Sequence, residues 1–444
     1  MKTFVAMERH ILRDRRPVSP SGGGSGPVFA PGRPIIAGVS RILQGVRVLD
    51  LTRVLAGPWA TQNLADLGAE VIKVERPGQG DDTRRWGPPF LDDGRGGEGD
   101  AAYFVACNRG KKSVTLDIAS PEGRRIARAL AAASDVLVEN FKVGDLARHG
   151  LDYATLSAEN PRLVYCSITG FGQDGPYRDR PGYDFMIQGL GGLMSVTGER
   201  DDLPGGGPQK VGVAVADLFT GMYATSAILA ALLQRGRTGR GERIDMALLD
   251  VQVAMLANLS ASFFASGAVP VRMGNAHMNI VPYHVFRAAD EFLIVAVGND
   301  TQFASFCRVV GEPGWSADPR FATNPARVRH RDLLVGLIGE RMRERPAREW
   351  LSLLEPSGVP CGPINDLAQV FADPQVRHRG MEVRVPHPAA GEVRMVASPM
   401  KLAGDPITHA SAPPVLGQHT DEVLGSVLGL DAAAIDRLRA ERVI

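Results

Sequence analysis

Cysteine is scarce in this chain: four in 444 residues, at Cys107, Cys166, Cys307 and Cys361, with no CxxC pair among them. That spacing excludes a cysteine-built zinc site and fits a reducing compartment. The nine histidines are scattered and form no HExxH pair, so no metal is expected. Charge of one sign is lacking too. Lys and Arg number 50 against 49 Asp and Glu, a formal net charge of +1, so no global field favours nucleic acid or an anionic membrane. Any anion site must be local. No apolar segment reads as a membrane span; the longest candidate, around 222–233, is too short and carries Thr225 and Ser226. No GxGxxG follows the first strand, and neither a P-loop signature nor GxSxG occurs. Nicotinamide, flavin, P-loop and serine-hydrolase chemistry are left without their motifs.

What the chain has is length and alternation. Its 444 residues, 44% hydrophobic and 22% charged, suffice for two domains. Residues 1–16 are too short and too charged for a secretory signal, and 17–34 are rich in Pro, Gly and Ser. A flexible tail over 1–42 is therefore expected, with a cytoplasmic location, or an organellar matrix should the tail be a targeting peptide. From Leu43 onward, short β-rich runs alternate with helical spacing: VRVLDLT (46–52), GPWATQNLADLG (57–68), VIKVER (71–76), SPEGRRIARALAAAS (120–134), DVLVENF (135–141). Strand–helix–strand units of this kind predict an α/β fold with a Rossmann-like, doubly wound parallel sheet. The expected division is a large domain over 43–240, a crossing segment over 241–274, a smaller α/β domain over 275–365, and a return to the large domain over 366–444.

One stretch raises a chemical question. In VGVAVADLFTG (211–221), which runs into MYATSAILAALL, Asp217 is the single carboxylate in an otherwise uncharged run. It reads either as a helix N-cap or as a nucleophile held in a poorly hydrated site.

Several motifs bear on that choice: LDLTRVLAGP (49–58), VERPGQGDDTRRWGPPF (74–90), NRGKKSVTLDI (108–118), VENF (138–141), TGFGQDGP (169–176), GYD (182–184), VADLFTG (215–221), GVPCGPI (358–364) and LGQHTDEVL (416–424). With them, from Leu43 to the C-terminus, the chain resembles the class III CoA-transferases. The resemblance implies an interlocked homodimer acting on an acyl-CoA and a small carboxylic acid, with coenzyme A as substrate and no tightly bound cofactor. It implies that Asp217 is the nucleophile and Asp184 a supporting carboxylate. It implies that Leu55, Ala56, Arg76, Leu116, Asn140, Phe141, Lys142, Arg148 and Tyr183 contact CoA. Trp86, Asn275 and His277 would stand near the acceptor, although a core Trp and an exposed loop His are equally ordinary readings. Ala119 stands where some relatives carry a lysine. The loop GNAHMNI (274–280) lacks the glycine run of formyl-CoA transferases, so a larger acceptor is expected, with succinyl-CoA as donor and a dicarboxylate such as glutarate as acceptor.

Two rival readings remain at this point. A 2-methylacyl-CoA racemase of the same superfamily needs an acid/base pair, and its relatives carry a histidine where this chain has Tyr183. A phenol is a poor general base at neutral pH, which favours transfer. A non-catalytic CoA-binding protein of the same fold is the other.

Overall fold

The computed structural model describes residue 40, residues 42–409 and residues 411–444. Apart from Ser40 and Ile42, the expected N-terminal tail lies outside the described residues.

Six parallel strands form the main sheet: β1 (Arg47–Asp50), β2 (Glu70–Glu75), β3 (Lys111–Thr115), β4 (Val136–Glu139), β5 (Val164–Thr169) and β6 (Arg243–Ala247), in the order 3-2-1-4-5-6. This is the doubly wound order, with its reversal point between β1 and β4, where the carboxyl ends of the strands leave a crevice for a ligand. Successive residues of the central strands face opposite sides. Val48, Val71, Val136 and Val138 join one core; Leu49, Ile72 and Leu137 join the other. Helices α1 (Ala56–Asp66) and α4 (Val215–Thr238) cover the first face, while α2 (Pro121–Ala132) covers the second. Between them in sequence lies the short α3 (Asp184–Leu190).

Local chemistry sets these boundaries. Ser120 caps α2 by accepting the Gly123 N–H, and Pro121 supplies a pre-set first helical residue. Gly221 lets α4 lie directly on α1: a Cβ there would stand 2.7 Å from the Ala56 carbonyl oxygen. With 24 residues, α4 is long and apolar enough to cross a bilayer, longer than the 222–233 run suggested. Here it packs on α1, β5 and β6, with Ala216, Thr220, Ala224 and Ile228 buried.

The crossing segment expected at 241–274 begins later than the sequence suggested. Residues 243–247 are the edge strand of the large sheet, paired in register with Tyr165–Thr169. Two helices follow, α5 (Leu248–Met255) and α6 (Ala257–Ser266). A second core then forms on the antiparallel sheet of β7 (Tyr283–Arg287), β8 (Phe292–Ala296) and β9 (Cys361–Pro363), filled by Phe303, Phe306, Phe321 and Trp350. A hairpin of β10 (Glu382–His387) and β11 (Gly391–Val396) has its own small cluster around Val385 and Val393. The chain then returns to the large sheet. Val423 and Leu424 of α7 (Thr420–Leu428), with Ile435 and Leu438 of α8 (Ala432–Ala440), complete the core on the α2 face.

Candidate active site

The carboxyl ends of the central strands carry the turns that shape the crevice. After β1, the chain passes Thr52–Leu55 into α1, and Val54 adopts φ 71, a left-handed conformation costly for a β-branched residue. Two clasps hold it there. Asn140 accepts from the Arg53 N–H (3.0 Å) and donates to the Arg53 carbonyl (2.8 Å). Asp81 accepts from the Val54 N–H (3.2 Å) and is itself paired with Lys73 at 2.8 Å, both side chains fully buried. Beneath them the ammonium groups of Lys111 and Lys73, with the Thr52 and Thr61 hydroxyls, outweigh the burial of Asp50 and hold its carboxyl down at about 2. Asn140 therefore spends its amide oxygen and one of its two N–H donors on the backbone, fixing the wall.

On the opposite side, Gly170 after β5 touches Gly182 backbone to backbone. A Cβ on Gly182 would lie 2.3 Å from the Gly170 Cα, and one on Gly170 would lie 2.5 Å from the Gly182 Cα. This contact seats the Tyr183–Asp184 turn on the strand end. Tyr183 is exposed, and Asp184 opens α3.

Asp217 lies in the first turn of α4, not at its cap: the cap position is Ala214, which offers no side-chain acceptor. The capping is done from outside the helix. Asp184 accepts the N–H of Ala216 at 2.8 Å and of Asp217 at 3.4 Å, while its other oxygen accepts from the buried Gln188 at 2.7 Å. Gln188 in turn accepts the Val211 N–H at 2.9 Å. The N-cap reading of Asp217 is thus replaced: Asp184 caps, and Asp217 is left free. Among the described residues, no group donates a hydrogen bond to the Asp217 carboxylate. Burial, and secondarily the negative Asp184, push its carboxyl up to about 7. A desolvated carboxylate without donors is a strong nucleophile for its type.

A cleft of about 480 Å³ joins these parts. Of the sequence-predicted residues it brings together Leu55, Ala56, Arg76, Asn140, Phe141, Lys142, Arg148, Tyr183 and Asp217. Leu116 lies on an adjoining slot, with Ala119, that shares Arg76 and Phe141 with the cleft. Asp184 acts from behind, through the backbone of α4. Three expected residues stand apart from the cleft lining. Trp86 packs edge-to-face on Tyr103 at 5.5 Å; His277 lies against Tyr283 at 5.3 Å and accepts the Asn279 N–H; Asn275 belongs to the same loop, preceding β7. Tyr103 was not singled out by sequence, yet burial and the neighbouring Asp217 charge push its hydroxyl up to about 12. Arg53, Arg178 and Arg180 were missed as well, although they line the cleft. They lie in loops without periodicity, and only the folded chain gathers them. The cations along the cleft, set against a short apolar wall, suit a phosphate-bearing ligand with a long uncharged arm.

Residues 43–420 match the model of CoA-transferase family III. The chain belongs to that family. It is a class III CoA-transferase, an enzyme that moves CoA between an acyl-CoA and a carboxylate. A succinate–glutarate CoA-transferase of Agrobacterium fabrum is 49% identical over 392 residues, 88% of this chain and 97% of that one. The human succinyl-CoA:glutarate CoA-transferase is 43% identical over 443 residues, 99% of each chain. A crystal structure of a CAIB/BAIF family protein from Brucella suis superposes with a TM-score of 0.77 at 49% identity, covering 87% of this chain and 99% of that one.

Proposed function

We propose that this class III CoA-transferase moves CoA from succinyl-CoA to glutarate, with Asp217 as the covalent relay. The observation that carries the proposal is the Asp217 carboxylate itself: at the crevice wall, without donors, capped from behind by Asp184. The substrates follow from succinyl-CoA:glutarate CoA-transferases that are 43–49% identical to this chain over most of their length.

In this scheme an Asp217 oxygen attacks the thioester carbonyl of succinyl-CoA. The C–S bond breaks, giving a succinyl–aspartyl anhydride and CoA thiolate. The thiolate then attacks the aspartyl carbonyl and displaces succinate, leaving an aspartyl-CoA thioester. Glutarate attacks that thioester, and the returning thiolate takes the glutaryl carbonyl of the second anhydride, freeing Asp217. Each step exchanges one activated acyl bond for another, so the thioester energy is conserved. Partial burial raises the reactivity of Asp217, and an acyl-CoA seated in the cleft displaces the water that would hydrolyse either anhydride. The Asp184 brace keeps the nucleophile's backbone fixed while its side chain is acylated and released.

The homodimer fits the same scheme. Phe219, Met222, Tyr223 and Leu233 of α4, and Phe263 and Phe264 of α6, are large apolar side chains left exposed on one chain, as much as 81% for Phe264.

Incubation with succinyl-CoA and glutarate should yield glutaryl-CoA and succinate in equal amounts. Hydroxylamine added during turnover should convert Asp217 to a hydroxamate, located by peptide mass spectrometry. Glutaryl-CoA formation by an Asp217→Ala variant at the native rate would end the relay assignment.

A further inference from the structure

The wall of the cleft rests on a buried carboxylate that the transfer scheme does not use. Glu139 ends β4, two residues after Leu137 and therefore on the sheet face that packs beneath α2. It is 5% exposed, and among the described residues no Lys or Arg stands within ion-pair distance of it. In register beside it run Ser167 of β5 and Asp245 of β6. The Ser167 hydroxyl hydrogen-bonds to the carboxylate, Arg243 favours its charge only from a distance, and Asp245 opposes it. On β5, Tyr165 and Cys166 feel that charge, and burial first, then Glu139, pushes both of their values up. From α2 and β1 come the apolar Ile126, Leu130 and Leu51. A buried carboxylate without an ion pair costs stability, and that cost marks it as a candidate for function.

What Glu139 holds is the turn that shapes the cleft. Its Oε2 accepts the Phe141 N–H at 2.8 Å. Between the two, Asn140 takes the Arg53 backbone by both its N–H and its carbonyl, while Phe141 and Lys142 line the cleft. A line of contacts thus runs from the end of β4 through Asn140 to the left-handed turn at Val54.

We propose that Glu139 is a positioning residue for acyl-CoA binding, its carboxylate locking the Asn140–Lys142 turn against the Arg53–Val54 turn. The inference rests on the CoA-transferase reading and adds to it a residue outside the cleft lining. An N–H is held roughly twice as strongly by an ionised acceptor as by a neutral one. Burial pushes the Glu139 carboxyl up to about 7. The hold on Phe141 therefore tightens as pH rises through neutrality, because a carboxylate replaces a neutral acid. The same ionisation weighs on the fold, so binding and stability are set against each other at this residue.

The test is calorimetric binding of CoA, without acceptor, at pH 6 and pH 8, to the native protein and to Glu139→Gln, Glu139→Ala and Asp245→Asn. At pH 8 Glu139→Gln should bind about three- to fivefold more weakly than native and Glu139→Ala about tenfold, whereas at pH 6 native and Glu139→Gln should agree within about twofold. Titration of Asp217 and of the CoA phosphates is common to both proteins and cancels in the ratio. Asp245→Asn removes a charge from the same row without touching the Phe141 N–H and should match native at pH 8. In transfer assays at pH 8 the Glu139→Gln loss should fall on KM for the acyl-CoA and leave kcat unchanged. A purely structural role predicts the reverse pairing, weaker binding only where the variant is also less stable. Equal affinities of native and Glu139→Gln at pH 8, a deficit of the same size at pH 6, or the same loss in Asp245→Asn would each overturn the assignment; Glu139→Gln carries these tests even if Glu139→Ala fails to fold. Because binding is read without acceptor, the two readings separate. A deficit confined to pH 8 in a protein that transfers no CoA refutes the transferase scheme and leaves the positioning role standing, whereas transfer without the deficit does the reverse.

Discussion

Asp217→Asn tests the central electrostatic claim without any substrate. The native carboxyl is displaced from an ordinary value of 3.8 to about 7, chiefly by burial and then by Asp184. Between pH 4 and 7 the folded protein therefore keeps a proton that the unfolded chain has released. Stability falls as pH rises through that window, and the full cost is present above pH 7. About three pH units at ~1.4 kcal/mol each set a ceiling of ~4 kcal/mol. Asp217 is partly open to the cleft, and solvent there screens some of this, leaving ~1–3 kcal/mol. Asparagine is nearly isosteric and carries no charge, so Asp217→Asn should be the more stable protein at pH 8 by that amount. In a chain of this length the gain corresponds to a Tm higher by roughly 2–5 °C. Paired thermal scans at pH 8 and pH 4.5 decide the matter: the difference should shrink towards zero at the lower pH, while transferase activity is lost at both. A variant equal to or less stable than native at pH 8, or a difference independent of pH, would refute the claim that Asp217 is held desolvated and unpaired.

Asp184→Asn keeps an acceptor for the Ala216 and Asp217 N–H groups but removes the neighbouring negative charge. The acid limb of its kcat/KM profile should move to lower pH than native, whereas Asp184→Ala loses the cap as well and should cost ~1 kcal/mol by denaturation. Lys73→Met leaves Asp81 buried and uncompensated, a loss of ~3–5 kcal/mol that should lower Tm sharply; an unchanged Tm would mean the pair contributes nothing. Glu139 accepts the Phe141 N–H at 2.8 Å, and burial pushes its carboxyl up to about 7. Glu139→Gln should therefore match native Tm near pH 5 and exceed it at pH 8, since the buried negative charge weighs on stability only as pH rises.

Much of the large domain was legible because its signals are local. Hydrophobic runs marked β1, β2 and β4, Ser120–Pro121 marked the start of α2, and the ordered motifs named the residues that later lined the cleft. Residues 243–247 were assigned to the crossing segment because RIDMA, between a basic turn and an apolar helix, does not show which sheet it joins; its partner strand Tyr165–Thr169 lies far back in the chain. Asp217 was read correctly as chemically unusual, yet its sequence neighbours suggested a cap, since a carboxylate at the head of an apolar helix usually is one. The cap comes instead from Asp184, 33 residues earlier, which no local pattern could reveal.

By itself, then, the sequence determined the strands β1, β2 and β4, the start of α2, and which carboxylate stands in an apolar run. Those properties depend on neighbours a few residues apart. Only the tertiary structure decided that Asp184 and not Asp217 caps α4, that Lys73 and Asp81 hold Val54 in its left-handed turn, and that Glu139 is buried beside Ser167 and Asp245. Each of these depends on groups brought together across the sheet, where burial sets the strength of every charge and only the folded chain fixes who is left without a partner.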